Sequence, residues 1–312
     1  MSLSVFYHPD FLNHDTGKGH PEKPDRLIAC VSALESSDFA MNLEWKSPRA
    51  ATEEELSFIH TKQHIEHIKK ICHSGGGYLD NDTPVCSNSF DIALKSAGAW
   101  LDGVDEVINK NSAFVLSRPP GHHAEENRAM GFCLFSNAAL AATTALGKNG
   151  VKRVCIFDWD VHHGNGTQSI VQNNPDIYYI STHQFPFYPG TGSQMETGKH
   201  NNVLNIPLQA GMNSLDYLKK FDEHVIPAIQ KINPDLLIIS SGFDAHTRDP
   251  LASINLETDD FAYMTRKIQG ILPHLLVGLE GGYDLKALGE CCKAVAGVLI
   301  NNAGEKRGGK RV

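Results

Sequence analysis

The chain has 312 residues, 41% of them hydrophobic, enough to bury a substantial core in one large domain or two small ones. A formal net charge of -8 argues against a surface built to neutralise phosphate or an anionic membrane, so nucleic acid is not expected as a partner. No early basic stretch leads into an apolar run with a small-residue cleavage site, and no run reaches bilayer length, so the expected location is the cytoplasm.

Short β-branched runs alternate with longer helical patterns through most of the chain. In chain order the expected elements are a strand over Ser4–Tyr7, helices over Pro24–Leu34 and Phe90–Ile108, and a strand over Ala113–Leu116. A helix over Ala138–Leu146 and strands over Val154–Asp158, Ile177–Ser181 and Val203–Ile206 follow. Leu215–Lys231 reads as a helix that Pro227 kinks or ends, and then come a strand Leu236–Ser240, a helix Asp259–Ile271 and a strand Leu275–Leu279. This alternation predicts an α/β fold with a mainly parallel sheet. With no repeat, linker or composition break, one domain is expected over residues 1–300. Residues 301–312, where Gly304, Gly308 and Gly309 mix with Lys306, Arg307, Lys310 and Arg311, read as a flexible, solvated C-terminal tail.

The seven cysteines are odd in number, scattered and without a C-x-x-C pair, which predicts reduced packing residues rather than a disulfide framework or thiolate zinc cluster. The 16 histidines say more, because several fall in tight pairs beside glycine. Parallel sheets bind ligands beyond the carboxyl ends of their strands, which directs attention to Arg118–Gly131, Asp158–Thr167, His183–Gly192, Gly242–Pro250 and Glu280–Asp284.

Asp158, Asp160 and His162 are spaced by two at a strand end and would point to one side of an extended chain. Carboxylate and imidazole suit a catalytic zinc, which takes three protein ligands and keeps a position open. Asp160 and His162 offer two, and Asp244 a third, with Asp249 and His246 as local competitors; ligand type alone also permits iron(II), manganese or cobalt. His122 and His123 follow a Pro-Gly turn and could exchange protons near neutral pH, ligate a metal or simply occupy an exposed loop. Gly281 and Gly282 let the chain turn sharply before Tyr283, whose phenol suits an oxyanion and equally suits packing at a helix start.

Taken together, His20-Pro-Glu-Lys-Pro-Asp-Arg26, Arg118-Pro-Pro-Gly-His-His-Ala124, Gly131-Phe-Cys133, Asp158-Trp-Asp-Val-His-His-Gly-Asn-Gly-Thr167, Tyr188-Pro-Gly-Thr-Gly192, Ser241-Gly-Phe-Asp-Ala-His246 and Glu280-Gly-Gly-Tyr283 resemble the histone deacetylase family. The resemblance spans nearly the whole chain. It implies a single-domain, three-layer α/β/α arginase-deacetylase fold and zinc-dependent hydrolysis of the amide of Nε-acyl-lysine in peptides or proteins. Zinc would be held by Asp160, His162 and Asp244. His123 would act as general base and then acid, His122 as its electrostatic partner, and Tyr283 would bind the oxyanion. Asp158 would orient His122, and Asn165 would orient His123 where one branch of the family carries aspartate; this asparagine resembles class II.

The resemblance further implies an aromatic channel walled by Phe132 and Tyr188, the Gly131 carbonyl facing the substrate amide, and Asp82 reaching the substrate backbone from the rim. Leu251 stands where polyamine-selective relatives can carry glutamate, which favours acyl-lysine over acetylpolyamines. A potassium ion would use the side chains of Asp158 and Ser181 with the carbonyls of Asp160, His162 and Thr182. An acetylpolyamine amidohydrolase is the alternative enzyme, and a non-catalytic acyl-lysine-binding module the alternative outside catalysis.

Overall fold

The computed structural model describes residues 2–301. The first strand, β1 (Leu3–Phe6), lies between β2 (Leu43–Lys46) and β5 (Ala113–Val115). The remaining strands of the sheet are β6 (Val154–Asp158), β7 (Ile177–Gln184), β8 (Val203–Leu208), β9 (Leu236–Ser241) and β10 (Leu276–Leu279). All eight are parallel, in the order β2-β1-β5-β10-β9-β6-β7-β8, with helices on both faces. Strands covered on both faces carry continuous apolar runs, and β1, β5, β6, β9 and β10 are buried at every position.

Every strand expected from the sequence is present, most within a residue or two of the expected ends, although β7 runs three residues further than its apolar stretch. Strand β2 was not expected: Leu43-Glu-Trp-Lys46 is short, lies at the sheet edge and has only Leu43 fully buried, so its periodicity is weak. A two-stranded hairpin, β3 (Gly76–Tyr78) with β4 (Pro84–Cys86), was also missed, because glycine and proline dilute its pattern.

The helices α1 (Asp25–Glu35), α4 (Ser89–Ile108), α5 (Asn137–Leu146) and α9 (Thr258–Gln269) fall where expected. The structure adds α2 (Glu53–Leu56), started by a Thr52–Glu55 capping box, α3 (Lys62–His73), α6 (Asn165–Val171) and α10 (Leu285–Asn301). Residues 214–232 do not stop at Pro227. Instead α7 (Ser214–Lys220) passes through a π-helical turn, Phe221–Val225, into α8 (Ile226–Ile232), and the widened turn accommodates the missing proline N–H at the start of the next helix. Asn301 closes α10; the rest of the expected tail, residues 302–312, lies outside the described residues. No helix among the described residues is long and apolar enough to cross a membrane.

Strand register aligns the chemistry. Asp158 at the end of β6 pairs with Ser181 of β7 on one side and Ser240 of β9 on the other, and Ser241 pairs with Leu279 of β10. The loops after β5, β6, β7, β9 and β10 therefore leave one edge of the sheet together.

The core beneath that edge is tight. A Cβ on Gly278 in β10 would come within 2.1 Å of the buried Trp100 ring on α4. Gly278→Ala is expected to destabilise the protein by about 1–3 kcal/mol through overpacking. A lowered urea midpoint at unchanged slope is the measurement that checks it.

Candidate active site

Two buried carboxylates meet beyond β6 and β9. Asp160 and Asp244 are fully buried, and their oxygens lie with a nitrogen of His162 within 4.8 Å of one another. The backbone fixes each of them. Gly281 N–H donates to Asp160 Oδ2 (2.8 Å), His162 N–H to Asp160 Oδ1 (2.9 Å) and Val161 N–H to Asp244 Oδ1 (2.8 Å). Glycine is required at two neighbouring positions for this approach: a Cβ on Gly242 would lie 2.0 Å from Asp160 Oδ2, and one on Gly281 2.1 Å from Asp244 Oδ2. The extended chain ends at Asp158, so the three residues of the 158–162 motif converge through a loop and not by strand alternation.

Among the described residues, the ion pairs of Asp158, Asp160 and Asp244 are made with His122 and His162 alone. The strain of that arrangement is visible in the titration behaviour. Burial, followed by Asp160, pushes the Asp244 carboxyl up to about 7. Burial opposes charge on His162, yet the two carboxylates outweigh it and raise the imidazole to about 10. Buried anions of this kind need a cation. Two carboxylate oxygens and an imidazole nitrogen are the donor set of a catalytic zinc site, so the residues present fit that metal. The competitors are placed elsewhere: Asp249 accepts backbone N–H groups from Leu251 and Tyr283, and His246 faces Thr258 and Glu257.

The histidine pair stands beside this triad. The imidazoles of His122 and His123 are 3.9 Å apart between centroids, and His123 is 6.0 Å from His162. Their environments separate them. His122 Nδ1–H donates to Asp158 Oδ2 (3.2 Å), and Asp160 and Asp158 overcome burial to raise His122 to about 10. Burial, with charge on His122 and His162, holds His123 well below the ordinary imidazole range.

The partner of His123 fixes its tautomer. Asn165 Nδ2–H donates to a carboxylate oxygen of Glu125 (2.8 Å), which can only accept, so the Asn165 amide must turn its oxygen to His123 Nδ1 (2.8 Å). His123 therefore carries its proton on Nδ1 and keeps the Nε2 lone pair free. Glu125 lies one residue beyond the Arg118–Ala124 motif, and only the fold shows that it sets the orientation of Asn165.

The two loops that carry the histidines and the tyrosine are locked to each other. Glu280 Oε2 accepts from the backbone N–H groups of Gly121 (2.7 Å) and His122 (3.1 Å), and its other oxygen accepts from Ser240 Oγ (2.8 Å). Below them Glu22 accepts from Arg118 Nη2 (2.8 Å) and Arg26 Nη1 (3.1 Å), all three side chains being buried. Arg118 begins the histidine loop, while Arg26 donates to the carbonyls of Glu280 and Gly282 (2.7 Å) and lies over the Tyr283 ring at 5.0 Å. Sequence reading quoted these residues only as parts of motifs.

Of the expected channel residues, Phe132 and Tyr188 lie beside this group. Gly131 and Phe132 both have positive φ, 56° and 69°, in a tight turn closed by bonds between Met130 and Cys133, and Phe132 N–H donates to Thr83 Oγ1. Phe132 meets Tyr283 edge-on at 6.1 Å and His20 at 4.7 Å. Tyr188 presents its ring to His123 (5.1 Å) and His162 (6.1 Å), while Phe187, not singled out from the sequence, stacks on His162 at 5.3 Å. Asp82 lies between β3 and β4, where its carbonyl accepts from His20 and its carboxylate from Thr83 Oγ1. Leu251 is 36% exposed. Cys133 is buried, with its thiol directed to the Gly131 carbonyl at 3.3 Å. Of the residues expected around potassium, Asp158 also accepts from Tyr179 Oη, Ser181 Oγ bonds His183, and Thr182 Oγ1 bonds Tyr217 Oη.

Residues 20–299 match the family model for the histone deacetylase domain. The chain is 48% identical over 290 residues to an uncharacterised protein of Synechocystis, an alignment covering 92% of this chain and 95% of that one. It is 37% identical to a histone deacetylase-like amidohydrolase of Pseudomonas aeruginosa, covering 89% and 76%. The crystal structure of the HDA15 HD domain superposes with a TM-score of 0.93 at 36% identity, covering 96% of this chain and 90% of that one. The chain belongs to the histone deacetylase family, and its fold is that family's arginase-deacetylase fold. It is accordingly a hydrolase of the amidohydrolase and deacetylase kind.

The Glu22 cluster yields a stability prediction. Burial alone would raise the Glu22 carboxyl, but Arg118 and Arg26 reverse this and hold it at about 2. A depressed folded-state value means that the stabilisation is complete above the unfolded value near 4.5 and is lost as pH falls towards 2. Glu22→Gln, which leaves two buried guanidinium groups without their anion, is expected to cost about 3–5 kcal/mol at pH 7 and less at pH 3. Urea denaturation at the two pH values gives the comparison.

Proposed function

We propose that this protein hydrolyses the amide of Nε-acyl-lysine in peptides or proteins, releasing free lysine and a carboxylate, with residues 1–300 as one catalytic domain. Asp160, His162 and Asp244 would hold the zinc, and a potassium ion would use Asp158 and Ser181 with the carbonyls of Asp160, His162 and Thr182. When bound, zinc supplies Lewis acidity that makes water more nucleophilic and polarises the substrate carbonyl.

The observation that carries this reading is the separation of the two imidazoles. His123, neutral and with Nε2 unprotonated, takes the proton of the attacking water and returns it to the departing amine nitrogen. His122, held charged by Asp158 and Asp160, offsets the negative charge of the reacting centre. Tyr283 donates its hydroxyl to the oxygen that becomes an oxyanion. Asn165 and its Glu125 partner keep His123 in the tautomer that can accept a proton, a service an amide performs without adding the charge an aspartate would bring.

The expected walls support a lysine substrate. Phe132, edge-on to Tyr283, and Tyr188, facing His123, would flank an approach suited to the methylene chain of lysine, and the Gly131 carbonyl would accept from the substrate amide. Asp82 at the rim accepts from the substrate backbone. Leu251 offers no carboxylate to a second cationic nitrogen, which disfavours a polyamine.

Tyr283→Phe is expected to lower kcat for an acetyl-lysine peptide by about 10²–10³-fold, the usual loss for one oxyanion donor. Amine release from acetyl-lysine peptide and acetylated spermidine, assayed side by side, tests both mechanism and substrate. Turnover of the polyamine in preference to the peptide would overturn the lysine assignment.

A further inference from the structure

The Tyr283 hydroxyl can serve an oxyanion only if its backbone is held on both sides of the residue. Before it, the carbonyls of Glu280 and Gly282 accept from Arg26 and the Gly281 N–H donates to Asp160 Oδ2, while Gly282, at φ +116°, brings no side-chain contact of its own. After Tyr283 the chain is fixed at once: Asp284 accepts the Ala287 N–H (2.7 Å) as a cap at the start of α10. Between these anchors and the cap, the Tyr283 N–H has one acceptor. It donates to Asp249 Oδ2 at 2.6 Å, and the next N–H, of Asp284, reaches the same oxygen at 3.4 Å.

Asp249 is built for that task. It is 7% exposed, and among the described residues no lysine, arginine or histidine pairs with it. Its other oxygen accepts the Leu251 N–H (3.0 Å), and its own N–H donates to the His246 carbonyl (2.8 Å), so the carboxylate plane is set by the short loop that follows Asp244. A buried anion satisfied by backbone amides alone is costly to retain where an apolar residue would pack, unless the amides it orders matter.

We propose that Asp249 is a positioning residue for the reaction: it places Tyr283 by clamping its backbone N–H across from the 244–251 loop. The inference rests on the reading of Tyr283 as the oxyanion donor. Asp249 touches neither substrate nor reacting atoms; it acts through Tyr283. A displacement near 1 Å at a catalytic group can cost about 10²-fold in rate, which sets the expected size of the effect.

The test is a double-mutant cycle in the zinc-loaded full chain, with kcat for an acetyl-lysine peptide measured for wild type, Asp249→Ala, Tyr283→Phe and the double variant. Asp249→Ala is expected to lose kcat by up to about 10²-fold. The double variant should then be within about twofold of Tyr283→Phe alone, because the tether has nothing left to position. Losses that multiply, or an Asp249→Ala enzyme with wild-type kcat, would overturn the proposal. If Tyr283→Phe itself keeps wild-type kcat, the oxyanion reading fails and this inference with it, an outcome distinct from the previous two. Zinc content and urea midpoint are recorded for each variant. Should Asp249→Ala not fold, Asp249→Asn, which keeps one oxygen for the amides, replaces it in the cycle with a smaller expected loss and the same criterion of non-additivity.

Discussion

The structure depends on the confinement of negative charge at the ends of β6 and β9. Asp158, Asp160 and Asp244 are all fully buried, and their charge partners are the imidazoles of His122 and His162. Carboxylates so placed cannot remain ionised without compensation, and the upward shifts of Asp244, by burial and Asp160, and of His162, by the two carboxylates against burial, express that tension. A divalent cation among the three donors would relieve it, and the surrounding backbone bonds keep the donors pointed at one spot. Gly242 and Gly281 have no side chain because a Cβ would occupy the space of those oxygens.

Outside that triad, the chain fixes the loops carrying the histidine pair and Tyr283 through buried polar bonds between distant segments. Glu280 ties the histidine loop to β9, and Glu22 joins Arg118 to Arg26, whose guanidinium reaches the carbonyls before Tyr283. The two imidazoles are pushed in opposite directions: Asp160 and Asp158 raise His122 against burial, while burial and charge on His122 and His162 lower His123. An aspartate faces His122, while an amide whose orientation is dictated by Glu125 faces His123. One histidine can thus stay cationic while its neighbour, 3.9 Å away, stays neutral.

Much of this was legible in the sequence. Continuous apolar runs marked seven of the eight strands of the sheet, and residues placed just after them by motif converge at one edge, because parallel strands in register must deliver their following loops together. The edge strand β2 and the β3–β4 hairpin escaped notice, since half-exposed or glycine-rich segments have no clear period. The long-range polar partners escaped for a different reason. Nothing local in sequence tells that Glu22 meets Arg118 across 96 residues, or that Asp249, a candidate ligand by proximity to Asp244, turns instead to the amide of Tyr283. Pro227 does not stop the helix: a π-helical turn precedes it and the helix continues through Ile232.

That the buried carboxylates exist to hold a metal is tested most directly by calorimetric titration of metal-free protein with zinc. One site per chain is expected, and Asp160→Asn should weaken it by more than the roughly 10–100-fold cost of losing an outer hydrogen-bond partner. Zinc uptake that is absent in the wild type, or equally tight in the variant, would contradict the assignment of these carboxylates as ligands.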